Sequence, residues 1–163
     1  MALKAPETYV YQGPPNPLLE KFMRDTPSTV HMFYNTVKYF GHRPAQKYKS
    51  GGLYLTLTYQ EFAERVEKFG QGFMALGLEK GECISIMSAT NPLWDWVDYG
   101  GRAAGCAVCT IYPTDSKETI IYTSAFSEVK VICVENEELL EKILQTWDRI
   151  PSLKYVVVLN STY

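Results

Sequence analysis

The sequence predicts an α/β fold: a parallel, Rossmann-like sheet flanked by helices and preceded by an N-terminal arm, a helix and a β-hairpin. Three observations carry this. Four short apolar runs begin at residues 83, 106, 129 and 155, at intervals of 23, 23 and 26, each close to a strand–helix–strand unit of roughly 30 residues. Each interval holds a helical stretch with its own start and stop signals. The run Cys106 to Ile111 shows no clean apolar–polar alternation, the pattern of a strand covered on both faces.

Residues 1–27 contain Pro6, Pro14, Pro15, Pro17 and Pro27 without sustained periodicity, and are expected to form an extended arm. From Ser28, Val30, Phe33, Val37 and Phe40 recur at three- and four-residue steps, predicting a helix that Gly41 closes. His31 lies off that stripe and reads as a surface residue, while His42 and Arg43 fall in the loop before Pro44. Two short strands, 45–49 and 53–58, flank Ser50-Gly51-Gly52 as a hairpin, and Leu53, Leu55 and Leu57 are expected on a buried face. Thr58-Tyr59-Gln60-Glu61 has the form of a capping box, opening a helix with Phe62, Val66, Phe69, Phe73 and Leu76 inward. Gly70 and Gly72 weaken that helix, each by about 1 kcal/mol relative to alanine, and suggest close packing on a sheet. Gly77 stops it.

The organising unit is Gly81 to Thr114. Cys83 to Met87 is a strand, Asn91-Pro92 supplies a cap and a first-turn proline, Gly105 ends the helix, and Cys106 to Ile111 is the next strand. Ser116 to Phe126 then reads as helix and Val129 to Val134 as strand. Glu137 to Trp147 follows as helix, with Leu140, Ile143, Leu144 and Trp147 inward, and Tyr155 to Leu159 as strand.

At 163 residues, 46% hydrophobic and 21% charged, the chain has the composition of a globular domain that buries roughly 70% of its unfolded surface. A net charge of −2 without a basic run excludes a dedicated nucleic-acid surface. No segment approaches the roughly 20 apolar residues of a membrane span, and the first residues lack a signal-peptide apolar core, so a cytoplasmic protein is expected. Cys106 and Cys109 form a C-x-x-C inside an apolar run, where odd spacing sends them to opposite faces of a strand. With Cys83 and Cys133 they read as buried free thiols. His31 and His42 are not spaced as zinc ligands with them.

In parallel sheets ligands sit at the carboxyl ends of strands, which directs attention to 87–91, 112–116, 135–138 and 160–163. No G-x-G-x-x-G follows a strand there, and neither a phosphate loop nor a Gly-x-Ser-x-Gly elbow occurs. Glu135 is the one carboxylate suited to a strand end, but with Glu137 and Glu138 it reads as the acidic first turn of a helix. Tyr112-Pro113-Thr114 reads as a turn, with Thr114 or Ser116 capping the next helix. Trp94 and Trp96 read as packing aromatics, and Asp95 and Asp98 as the wet side of their helix. No catalytic, cofactor-binding or metal-ligating residue is assigned.

The run LTYQEFAERVEKFGQGFMALGLEKGECISIMSATNPLWDW and the later GGRAAGCAVCTIYPTDSKETIIYTSAFSEVKVICVE resemble the N-terminal region of AMP-forming acyl-CoA synthetases, the adenylate-forming ligase superfamily. They are most similar to the long-chain fatty acyl-CoA ligases. The matches are Thr58-Tyr59, Leu76-Gly77-Leu78, Lys80-Gly81, Asn91 with Trp94, Gly105 and Tyr112-Pro113-Thr114, clearest over about residues 50–135. Glu82 stands where the family usually has aspartate, and Cys109-Thr110-Ile111 where it usually has a small or aliphatic residue and a proline.

The resemblance implies that residues 28–163 are the N-terminal portion of an AMP-binding domain ending before the phosphate loop. It implies a parent enzyme that uses ATP, Mg2+ and CoA to activate a fatty acid, expected to be long-chain, or another carboxylate as its adenylate and pass it to CoA. The phosphate loop, the adenine and ribose motifs and the C-terminal lysine of that family are expected beyond residue 163. The chain alone is then expected to be inactive and to bind none of these cofactors, with a homodimer and a peripheral membrane contact as possible associations. The alternative is a non-catalytic, stand-alone α/β binding or interaction module.

Overall fold

A computed structural model describes residues 17–160. The first helix, α1 (Pro17–Asp25), corrects the expectation of an extended arm for those residues. Pro17 is tolerated at the first helical position, where no intrahelical N–H bond is lost. Leu18, Leu19, Phe22 and Met23 then follow at helical spacing, with Glu20 in the first turn and Arg24 in the last suiting the helix dipole. Residues 1–16, the rest of the expected arm, lie outside the described residues.

Next come α2 (Thr29–Phe40), β1 (Pro44–Ser50), β2 (Leu53–Thr58) and α3 (Tyr59–Ala75). His31 is exposed on α2, its Nδ1 2.7 Å from the hydroxyl of Ser28, the residue that caps the helix. β1 and β2 pair antiparallel through Gly51 and Gly52, both at positive φ, the backbone a tight two-residue hairpin needs. The expected buried face is not there. Leu53 is 70% and Leu55 42% exposed, because the hairpin lies against α3 and α4 at its base only. The capping box is present: Thr58 Oγ1 accepts from the Glu61 N–H, and Glu61 Oε2 accepts from the Thr58 N–H at 2.7 Å.

The remaining elements are β3 (Cys83–Met87), α4 (Pro92–Ala103), β4 (Ala107–Thr110), α5 (Lys117–Phe126), β5 (Val129–Val134), α6 (Glu137–Leu144), a 3-10 turn (Trp147–Arg149) and β6 (Tyr155–Val158). The four later strands form a parallel sheet in the order β4-β3-β5-β6. One face, with Ile84, Ile86, Val131 and Cys133, packs under Phe73 of α3 and Val97 of α4. The other, with Met87, Ile132 and Val134, packs under Ile120 of α5 and Leu139 and Ile143 of α6. Both sides are thus covered by helices, as continuous apolar strands require. Each fully buried isoleucine contributes roughly 1.5–3 kcal/mol. A third cluster sits off the sheet, where the rings of Phe33, Phe62 and Tyr99 meet edge to face or tilted, with centroids 4.7–5.7 Å apart.

Several helix details differ from expectation. Leu139 and Ile143 are the buried residues of α6, Leu144 is 54% exposed, and the helix ends there, leaving Trp147 in the 3-10 turn. Gly70 permits close packing against α4 rather than the sheet: a Cβ on it would lie 3.2 Å from the Gly100 carbonyl, and one on Gly100 2.6 Å from Phe69 Cβ. Gly72 is exposed. Asp98 is buried and not on a wet side, its carboxylate held by Arg102 at 2.9 Å. Cys106 and Cys133 are buried free thiols, whereas Cys83 and Cys109 are half-buried. Cys106 packs with the α3/α4 side and Cys109 meets the Ser127 hydroxyl beyond α5, so the pair does face opposite ways.

Candidate functional site

The strand order sets the place. From β3 the chain crosses to β4 on one side, then returns to β5 and β6 on the other, so the connections after β3 and β5 part at the carboxyl end of the sheet. A crevice at such a reversal is where ligands of open α/β sheets bind. Here it lies between Ser88–Asn91 and Glu135-Asn136.

Asn91 shapes the first wall. Its Oδ1 accepts from the Trp94 N–H at 3.2 Å, capping α4, and its Nδ2 donates to Ser88 Oγ at 2.9 Å and to the Ala89 carbonyl at 3.0 Å. Asn136 caps α6 in the same way through the Leu139 N–H. Glu135 therefore precedes the cap and is no part of the first turn of α6, which corrects the sequence reading. Its carboxylate instead reaches across the crevice, where Oε2 accepts from the Ala89 N–H at 2.7 Å and lies 3.2 Å from Ser88 Oγ. The single proton of that hydroxyl serves either Glu135 or the Ala89 carbonyl at 2.9 Å, so the Ala89 N–H is the firmer donor. Its backbone also spans the sheet end, the Glu135 N–H donating to Met87 and its carbonyl accepting from Asn160.

A second wall comes from the hairpin. Gln46 of β1 donates through Nε2 to Asp95 Oδ2 at 2.7 Å and accepts through Oε1 from the Trp96 indole at 2.9 Å. Arg65 lies over that indole, 5.5 Å from the ring centroid. Burial pushes the Asp95 carboxyl above its ordinary pKa; the Gln46 bond opposes this and the Asp98 charge adds to it. Gln46, Tyr48, Thr90, Asn91, Pro92 and Asp95 thus line an open cleft beside the crevice. No sequence signal singled out Gln46, because its partners lie 49 and 50 residues away.

The Tyr112-Pro113-Thr114 turn stands at the carboxyl end of β4. Asp115 Oδ2 accepts from the Tyr112 N–H at 2.9 Å, Lys142 Nζ donates to the Pro113 carbonyl at 2.8 Å, and Ser116 caps α5. Ser116, not Thr114, is the cap. Trp94 and Trp96 are packing aromatics, as expected, on the two sides of α4.

Chemically the crevice is a positioned set of donors already matched by acceptors. Magnesium would require converging carboxylate oxygens. Here Glu135, Asp95 and Asp115 each serve a separate N–H donor, and among the described residues no group of three His, Cys, Asp or Glu could hold a metal ion. The described residues alone do not fit a magnesium site.

Comparison with known proteins gives the arrangement its context. The sequence profile of the family described as AMP-binding enzyme matches residues 33–162. Long-chain-fatty-acid–CoA ligase ACSBG1 of Mus musculus is 35% identical over 141 residues, which is 86% of this chain and 20% of that protein. ACSBG2 of Xenopus laevis, also a long-chain-fatty-acid–CoA ligase, is 33% identical over 132 residues, 80% of this chain and 18% of that one. The chain therefore spans about a fifth of the length of these relatives. Among solved structures, fatty acyl CoA synthetase of Mycobacterium tuberculosis superposes with a TM-score of 0.71 at 14% identity, covering 80% of this chain and 26% of that one. That likeness shows the shared fold. Taken with the profile match over most of its length, it follows that this chain belongs to the AMP-binding enzyme family.

Proposed function

We propose that this chain is the N-terminal part of an ATP-dependent, AMP-forming acid–thiol ligase that activates a long-chain fatty acid. In this reading the complete enzyme joins the acid's carboxylate to the α-phosphate of ATP, releasing pyrophosphate, and then passes the acyl group from AMP to the thiol of CoA, with Mg2+ balancing phosphate charge. The observation that carries the reading is the match to the family across residues 33–162, joined to relatives that are themselves long-chain-fatty-acid–CoA ligases.

Within that enzyme the described residues act as scaffold. They order the β3–α4 and β5–α6 connections with their own side chains, and the carboxylates of Glu135, Asp95 and Asp115 are each taken by an internal donor. The 163-residue chain is accordingly read as catalytically silent by itself. The test is fatty-acid-dependent pyrophosphate release with ATP, magnesium and CoA, measured on this chain and on the longest polypeptide its gene encodes. Release by the longer polypeptide alone is expected. Release by the 163-residue chain would refute its silence, and release by neither would refute the ligase reading.

A further inference from the structure

We propose that Glu135 is an internal ligand: its carboxylate fills the anion position of the crevice between β3 and β5 and latches the β3–α4 connection shut. Ala89 is exposed and stands outside any helix or strand, so its N–H has no ladder partner; Glu135 Oε2 at 2.7 Å is what satisfies it. The neighbouring Ser88 hydroxyl lies 3.2 Å from the same oxygen, and Asn91 Nδ2 fixes that hydroxyl from behind at 2.9 Å. A backbone N–H aimed at one carboxylate oxygen, with a hydroxyl beside it whose proton can turn to the same oxygen, is what an anion site offers a ligand, and charge-assisted bonds of this kind are stronger than neutral ones.

The carboxylate comes from the other side of the crevice, 46 residues along the chain, and its backbone is clamped at the sheet end through Met87 and Asn160. Glu135 therefore ties the two connections that the topology separates. A carboxylate or phosphate ligand reaches Ala89 only by displacing it. This inference stands apart from the ligase reading, since it concerns a contact present without any substrate.

Amide hydrogen exchange tests it on the 163-residue chain, with Val131 in the central strand reporting the global fold. In Glu135→Ala the Ala89 N–H is expected to exchange about tenfold faster or more, the ratio expected for losing a bond to a charged acceptor, while Val131 stays protected. Sodium acetate at molar concentration, against sodium chloride of equal ionic strength, is expected to restore at least half of that protection in the variant and to leave the wild type unchanged. Inorganic phosphate in a parallel sample shows whether the vacated position also takes a phosphate oxyanion; protection by either anion supports an anion position. Unchanged Ala89 exchange, or no recovery with either anion, overturns the proposal. If Glu135→Ala also exposes Val131, Glu135→Gln decides: its neutral amide oxygen still accepts, so Ala89 exchange should rise several-fold with Val131 protected, and no rise overturns the latch.

Discussion

At the scale of single residues, Asp95 shows how a side chain acquires its properties from packing. It stands in the first turn of α4, where a negative charge is favoured by the helix dipole, yet the hairpin covers it and burial raises its pKa. A carboxyl whose pKa is raised on folding contributes stability at pH values below its unfolded pKa, and that contribution is lost as pH rises through the folded value. At neutral pH the folded state therefore bears the cost of a half-buried charge. Asp95→Asn keeps an oxygen for Gln46 Nε2 and removes the charge. Its melting temperature should exceed that of the wild type at pH 7, and the difference should shrink towards pH 3. A lower melting temperature at pH 7 would show that the dipole outweighs burial.

At the scale of elements, each helix from α2 to α6 begins on a side-chain cap: Ser28, Thr58, Asn91, Ser116 and Asn136. Caps are local, set by one residue and the N–H three positions on, which is why Thr58, Asn91 and Ser116 could be read from the sequence. Thr58→Ala should cost about 1 kcal/mol of stability in denaturant unfolding, a typical value for a lost cap. The reciprocal half of that box has a pH signature. The Thr58 backbone N–H, and then its hydroxyl, hold the Glu61 carboxyl below its usual pKa. Its contribution is present at neutral pH and is lost as pH falls through the folded value. Thr58→Ala keeps the backbone N–H and removes the hydroxyl donor to Glu61, so its cost should be slightly smaller at pH 3 than at pH 7; equal costs would mean that the hydroxyl adds nothing to the hold on the Glu61 carboxylate. Where an element's limits depend on neighbours, local signals fall short. The period of α6 continued past Leu144, but the turn that places Ile150 and Leu153 in the core ends the helix earlier.

At the scale of the whole molecule, the parallel sheet is the cooperative unit, and Cys133 sits at its centre with no exposed surface. Burial pushes its thiol up to about 12, and that of Cys83, half-buried at the rim, to about 11. The thiolate is the reactive form, so both should resist alkylation at pH 8, but for different reasons of access. Mass-spectrometric mapping should find Cys109 labelled first and Cys133 labelled only at denaturant concentrations that unfold the sheet. Equal labelling of Cys133 and Cys109 in native buffer would mean that the 163-residue chain does not assemble this sheet.

The sequence by itself determined the strands, most of the helix starts and the doubly wound class, because those follow from apolar runs, caps and glycines within a few residues of one another. It also carried the family, through matches spread along much of the chain. Only the tertiary structure decided what meets across the sheet end. The pairing of Glu135 with Ala89, of Gln46 with Asp95 and Trp96, and the burial of Asp98 join residues or faces that no local period relates. The helix at 17–25 hid behind Pro17, which the first helical position tolerates, and the hairpin's Leu53 and Leu55 alternated as a buried strand would while lying open. Period shows that a side chain can be buried on one face; only the packing of other elements supplies the surface that buries it.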